Sequence, residues 1–84
     1  MKIRDAQNLS NKIVDAIFEN NEKQDIKNYE IAKRTNISQM ALSYIKRHKR
    51  QPTLYILLMI ANATGVKLSK IISEFEDEIH EENQ

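Results

Sequence analysis

The sequence predicts an all-α fold, and three observations carry that expectation. One glycine, Gly65, and one proline, Pro52, occur in 84 residues, too few punctuation points for a set of short strands. Apolar residues recur three and four positions apart rather than two. Residues suited to helix capping, Ser38 and Thr53, stand immediately before two of the apolar segments. The length fits one domain with a modest core and little volume for a deep catalytic cleft.

Taken in order, Leu9, Ile13, Ala16 and Ile17 give a first amphipathic helix from about Leu9 to Asn20. Residues 1–8 are expected to be an N-terminal arm, and the polar stretch "NNEKQD" is expected to end the helix. A second helix runs from Asn28 to about Arg34, with Ile31 and Ala32 facing inward and Ile26 packing just ahead of it. Thr35 and Asn36 interrupt the pattern, and asparagine tolerates the left-handed conformation better than most residues with a side chain. Ser38 then caps a third helix. On it Ala41, Leu42 and Ile45 share one face, and Met40, Ser43, Tyr44 and Arg47 share the other.

"HKRQPT" reads as a basic loop, because Pro52 disfavours helix at Gln51. Thr53 caps a fourth helix from Leu54 to Thr64, and Gly65 with Val66 makes its left-handed closure. A fifth helix starts near Leu68 and carries Ile71, Ile72, Phe75 and Ile79. The expected organisation is an arm (1–8), a helical domain (9–73) and an acidic extension of the last helix or tail (74–84).

Formal net charge is +1, but the charges are segregated. From Ile31 to Ser73 there is no acidic residue, while the span carries Lys33, Arg34, Lys46, Arg47, Lys49, Arg50, Lys67 and Lys70. Glu74, Glu76, Asp77, Glu78, Glu81 and Glu82 follow. A basic body with an acidic end points to a polyanionic partner. Without cysteine there is neither a disulfide nor a thiolate metal site. No cofactor or metal is expected. The apolar run Leu54–Ala61 is too short to span a bilayer, and "MKIRDAQN" lacks the apolar segment of a signal peptide. A cytoplasmic protein with no membrane partner is the expectation. Nor does the sequence offer a paired-carboxylate pocket, a nucleophile with a base or a glycine-rich phosphate loop, so an enzyme is not expected.

Two helices joined by a tight turn, the second with an inert inner face and a polar outer one, form the helix-turn-helix arrangement, here over residues 28–47. The stretch "YEIAKRTNISQMALSYIKRHKRQPTLYILLMIANATGVKLSKII" resembles the Cro/C1-type (XRE-like) helix-turn-helix regulators of phages, mobile elements and bacterial chromosomes. The likeness includes the basic loop before "PTL" and the closing "TGVKL". It departs from the family pattern at Asn36 and His48, which replace frequent glycines, at Lys46, which replaces a common acid, and at Thr64, where leucine is usual. The link between the first two helices is longer than typical, and Lys27 stands where Ser or Thr often caps.

The resemblance implies a compact five-helix, lambda-repressor-like domain whose third helix, Ser38 to about Arg47, lies in the major groove of double-stranded DNA. Gln39, Met40, Ser43 and Tyr44 would face base edges; glutamine can pair with adenine, and methionine can touch a thymine methyl. Asn28, Lys33, Arg34, Ser38, Arg47, Lys49 and Arg50 would contact the DNA backbone. Family members commonly act as two-fold dimers on palindromic operators, so a homodimeric repressor is the implied function. The fourth helix is greasier than one buried stripe requires, which makes Tyr55, Met59, Phe75 and Ile79 the candidate dimer contact. The alternative is a protein-interaction adaptor, antitoxin-like or anti-repressor-binding, that uses the same apolar surface for a regulatory protein partner. The acidic tail is expected to stay solvated, with folding against the basic loop as its second reading.

Overall fold

The computed structural model describes residues 2–79, and every regular element among them is helical. In chain order these are α1 (Ile3–Lys23), α2 (Asn28–Thr35), α3 (Gln39–Lys46), α4 (Leu54–Thr64), α5 (Leu68–Glu74) and a single turn, α6 (Glu76–Ile79). The expected all-α, lambda-repressor-like architecture is present, with the short α6 added to the five expected helices.

One core joins the first five elements. Val14, Ile17 and Phe18 of α1 meet Ile31 of α2, Leu42 and Ile45 of α3, Ile60 and Ala61 of α4, and Leu68 and Ile71 of α5. Ile17, Ile31, Leu42 and Ile60 are wholly buried. Full burial of such a side chain is worth about 1.5–3 kcal/mol, which is why short helices that would be marginal alone hold here. α2 packs on α3 and α4, and α1 packs on α3 and α5. The result places α3 at the rim, its inner face on the core and its outer face free.

The first helix differs from expectation at both ends. It starts at Ile3, so residues 3–8 are helix rather than arm, although every one of them is exposed. Apolar periodicity registers burial, whereas a helix extends past its buried part wherever no breaker intervenes; Asp5 also sits favourably in the first turn. At the other end α1 continues to Lys23. Asn21 occupies a core-facing position one turn after Ile17 and is 1% exposed, so a polar residue took a place that the pattern reserves for an apolar one. The link to α2 is therefore short, Gln24 to Lys27, and the long link expected from the sequence is absent.

Each of the first four helices is followed by a left-handed residue: Asp25 after α1 (φ 58°), Asn36 after α2 (φ 62°), His48 after α3 (φ 62°) and Gly65 after α4 (φ 73°). Three of these closures carry a backbone bond from the residue after the left-handed one to the last turn of the helix, Ile26 N–H to Asn21 O (2.9 Å), Lys49 N–H to Tyr44 O (2.8 Å) and Val66 N–H to Ala61 O (2.9 Å). At Asn36 the backbone N–H donates to Ala32 O at 2.8 Å, and the Thr35 hydroxyl accepts from Ile37 N–H at 3.2 Å. Helix starts are as orderly. Ser38 accepts from Ala41 N–H at 3.1 Å, and Thr53 accepts from Ile56 N–H at 3.2 Å. Lys27 has no acceptor to offer α2, and only the Glu30 carboxylate reaches back, taking the Lys27 N–H at 3.5 Å.

The fifth helix does not run through to Ile79. It stops at Phe75, which packs against the core, and resumes as α6. Glu74 and Glu78 would stack like charges one turn apart in a continuous helix, which weakens it there.

Candidate nucleic-acid interface

α3 is short, and its eight residues divide cleanly. Leu42 and Ile45 are buried at 0% and 3% exposure, while Met40 stands 65% and Tyr44 40% exposed on the other side. Gln39 is exposed as well, and Ser43 is half-buried between Met40 and Tyr44. These are the four residues that the sequence assigns to base edges, and the fold brings them onto one outward surface. Ser38 is occupied as the cap of this helix, and its hydroxyl accepts the Ala41 N–H there. That bond fixes the entry of the helix, whose first residue, Gln39, is exposed.

The basic loop begins with Arg47, whose guanidinium lies over the Tyr44 ring at 5.4 Å from its centroid and whose Nε donates to the Ser43 carbonyl at 3.4 Å. Cation and ring hold one another at the end of α3. Lys49 and Arg50 follow, both exposed, with no hydrogen-bond or ion-pair partner among the described residues. Lys33 on α2 is exposed and unpartnered in the same sense.

The other expected backbone residues sit differently. Arg34 donates to the Ala63 carbonyl near the end of α4 at 2.9 Å and lies 3.7 Å from Glu30. It ties α2 to α4. Asn28, half-buried at the start of α2, lines a surface cleft of about 380 Å³ together with Phe18, Asn21, Asp25 and Lys46. Ion pairs flank that cleft: Asp25 with Lys27 at 2.9 Å and Glu22 with Lys46 at 2.8 Å. Hydrogen bonding to Lys46, and then its charge, hold the Glu22 carboxyl below the usual carboxylate range; Asp25 in the same way raises the Lys27 ammonium. Lys46 thus contributes a compensated charge, not the free one that its replacement of an acid suggests.

The sequence alone missed what fastens the loop. His48 Nε2 meets Asp15 Oδ1 at 2.7 Å. Gln51 donates to Asn11 at 3.2 Å and accepts from the Ser10 hydroxyl at 2.9 Å. With Glu22–Lys46, these bonds lay the chain from the end of α3 onto α1, moving toward the α1 N-terminus as the loop advances. The partners of His48 and Gln51 are 33 to 41 residues away, so no local pattern reveals them. The one available hint is the polar series Asn11, Asp15 and Glu22, which keeps to one side of the first helix.

The candidate dimer residues also separate. Tyr55 is 68% exposed, whereas Met59 and Ile79 are half-buried and Phe75 belongs to the core margin. Leu54 and Leu58, which the sequence did not single out, are 62% and 51% exposed beside Tyr55. Glu78 of the acidic segment pairs with Lys12 at 3.0 Å rather than with the basic loop. Residues 80–84 of the expected tail lie outside the described residues. No group of three or more metal-ligating side chains forms among the described residues, and no single helix there is long and apolar enough to cross a membrane.

Comparison with known proteins bears on this geometry directly. Residues 18–71 match the family model described as "Helix-turn-helix", a span that starts within α1 and includes all of α2, α3 and α4 and most of α5. Neither the curated proteins nor the solved structures give a match. A match over well more than half of the chain, around a helix pair with one dry and one polar face, identifies it: the chain belongs to the Cro/C1-type (XRE-like) helix-turn-helix family of DNA-binding regulators.

Proposed function

We propose that the protein is a transcriptional repressor that binds a palindromic operator as a homodimer, with α3 in the major groove of each half-site. The observation that carries this reading is the outward surface of α3, where Gln39, Met40, Ser43 and Tyr44 stand together next to the unpartnered cations Lys49 and Arg50. Side chains of these types read base edges, and cations beside them supply the sequence-independent grip. Arg47, held on Tyr44, stiffens the boundary between the two sets. Asn28 and Lys33 are the accompanying backbone contacts from α2; Arg34 serves the α2–α4 packing.

The dimer contact is built on Tyr55 with Leu54 and Leu58, the most exposed apolar side chains of α4. Met59, Phe75 and Ile79, which are half-buried, are its remaining candidates. The same surface favours a second reading, in which it docks a regulatory protein and the molecule acts as an adaptor. The mass in solution separates the two readings: a dimer forms at micromolar concentration or on operator DNA, whereas an adaptor stays monomeric in both states.

Selection of bound duplexes from a random library by the purified protein tests the main reading. An enriched palindrome with fixed half-site spacing is the expected result. Enrichment of an isolated half-site would rule out the dimer. Salt-sensitive binding to every duplex, without enrichment, would overturn sequence-specific reading by α3.

A further inference from the structure

α1 extends two turns beyond the core, and its exposed residues are placed by the bonds that follow them. At about 3.6 residues per turn, Arg4, Asn8, Asn11, Asp15 and Glu22 fall on one stripe of α1. Asn11, Asp15 and Glu22 are the residues that receive Gln51, His48 and Lys46, so this stripe is the side of α1 turned toward the basic loop. Order along it is informative too. Lys46 meets Glu22, His48 meets Asp15 and Gln51 meets Asn11, so the loop advances toward the N-terminus of α1, and Arg4 and Asn8 continue the line past its end.

Along this continuation, and beside it at Gln7, the side chains carry donors. Arg4, Gln7 and Asn8 are exposed and carry hydrogen-bond donors. Arg4 has no partner among the described residues. Asp5 lies about 100° around the helix from Arg4 and about 60° from Asn8, on the side of the stripe away from Gln7, which lies about 60° from Arg4. A row of donors with one free guanidinium, continuous with a phosphate-binding loop, fits the oxygens of a further stretch of sugar–phosphate backbone. From Asn11 to Arg4 the helix rises about 10 Å, the axial length of roughly three steps along one DNA strand.

We propose that the first two turns of α1 form a rigid contact to the DNA backbone flanking the operator half-site, with Arg4 as its charged anchor and Gln7 and Asn8 as neutral donors. This rests on the DNA-binding reading above and extends the footprint beyond the helix-turn-helix motif. The rigidity follows from the helix: residues 3–8 are presented in a fixed orientation relative to the loop, so the contact costs less ordering than a flexible arm would.

The test compares the full chain with Arg4→Ala, Lys2→Ala and Lys49→Ala on the selected duplex, once trimmed to the site and once with native-length flanks, across a salt series. Lys2→Ala removes the same charge from the extended residue that precedes α1, outside the helical stripe. Arg4→Ala is expected to weaken binding to the flanked duplex roughly three- to tenfold, to lower its salt slope by about one unit and to leave the trimmed duplex unaffected. Lys2→Ala should match the unaltered chain on both. Equal effects of Arg4→Ala and Lys2→Ala would overturn the proposal, since bulk charge alone would then account for them. No effect of Arg4→Ala, with Lys49→Ala weakening both duplexes, would overturn it while keeping the DNA-binding reading. No effect of Lys49→Ala either would remove that reading as well.

Discussion

The two faces of α3 lie less than a helix diameter apart and answer to different physics. Inward, Leu42 and Ile45 are dry and touch side chains from other helices. Outward, Gln39 and Met40 touch little of their own protein, and Tyr44, more covered, carries the Arg47 guanidinium over its ring. The inner face fixes where the helix sits, and the outer face is left free to vary without consequence for folding. A regulator needs this separation, because recognition can then change while the scaffold stays. The difference also says where damage should appear: inner changes should act on stability first, outer ones on binding alone.

The largest effect expected is at Leu42. Leu42→Ala removes a wholly buried side chain where α1 and α2 pack on α3, and should cost about 2–5 kcal/mol. Thermal or urea unfolding measures it, and DNA binding should fall only to the extent that the folded fraction falls. On the outer side, Lys49→Ala with Arg50→Ala should leave unfolding within about 0.5 kcal/mol. The pair should weaken binding to all duplexes alike, reducing the salt slope by roughly 0.9 for each phosphate no longer neutralised. Destabilisation by the outer pair would show that the two faces are not independent.

Asn21 tests the core side in the opposite direction. It is 1% exposed, and neither its amide nitrogen nor its oxygen has a hydrogen-bond partner. Leaving such groups unpaired costs about 1–3 kcal/mol, and an apolar group of similar shape removes the cost. Asn21→Leu is therefore expected to raise the melting temperature, and a drop would show that the amide is satisfied in solution. Smaller again is Asn36→Gly. Relief of a left-handed residue with a side chain should add less than about 1 kcal/mol at the turn between α2 and α3.

The smallest effect concerns pH. Glu22 titrates below its usual range because Lys46 favours its ionised form. Its folded-state pKa is thus lower than its unfolded one, so its contribution is present above the unfolded value and is lost as pH falls through the folded value. Glu22→Gln should therefore narrow the stability difference between neutral and acidic solution. An unchanged acid limb would mean that the pair contributes nothing in solution.

Much of this arrangement was legible in the sequence, and the division follows the range of the cause. Ser38, Thr53 and Gly65 act on residues within a turn of themselves, so the helix ends that they set were read correctly. Asn36 was read for the same reason. The ends of α1 were not, because the helix outlasts its apolar stripe at Ile3 and carries a buried polar residue at Asn21. His48 and Gln51 looked like plain loop residues, since their roles depend on Asp15, Asn11 and Ser10 far along the chain. Likewise the sequence showed that α4 has surplus apolar residues. Which of them emerge, Leu54, Tyr55 and Leu58, depends on how α4 is rolled against α2 and α5.

If the outer face of α3 reads sequence while its inner face only holds the helix in place, discrimination and stability should respond to different residues. The most direct test is the ratio of dissociation constants for the selected duplex and a scrambled one, measured for the unaltered chain, Gln39→Ala and Tyr44→Ala, with melting temperature recorded for each. Each variant is expected to lose about 1–3 kcal/mol of discrimination where its side chain pairs with a base, with the melting temperature unchanged for Gln39→Ala and slightly lowered for Tyr44→Ala, which also loses the Arg47 contact. An unchanged ratio in both variants, with binding intact, would mean that the outer face of α3 does not read sequence.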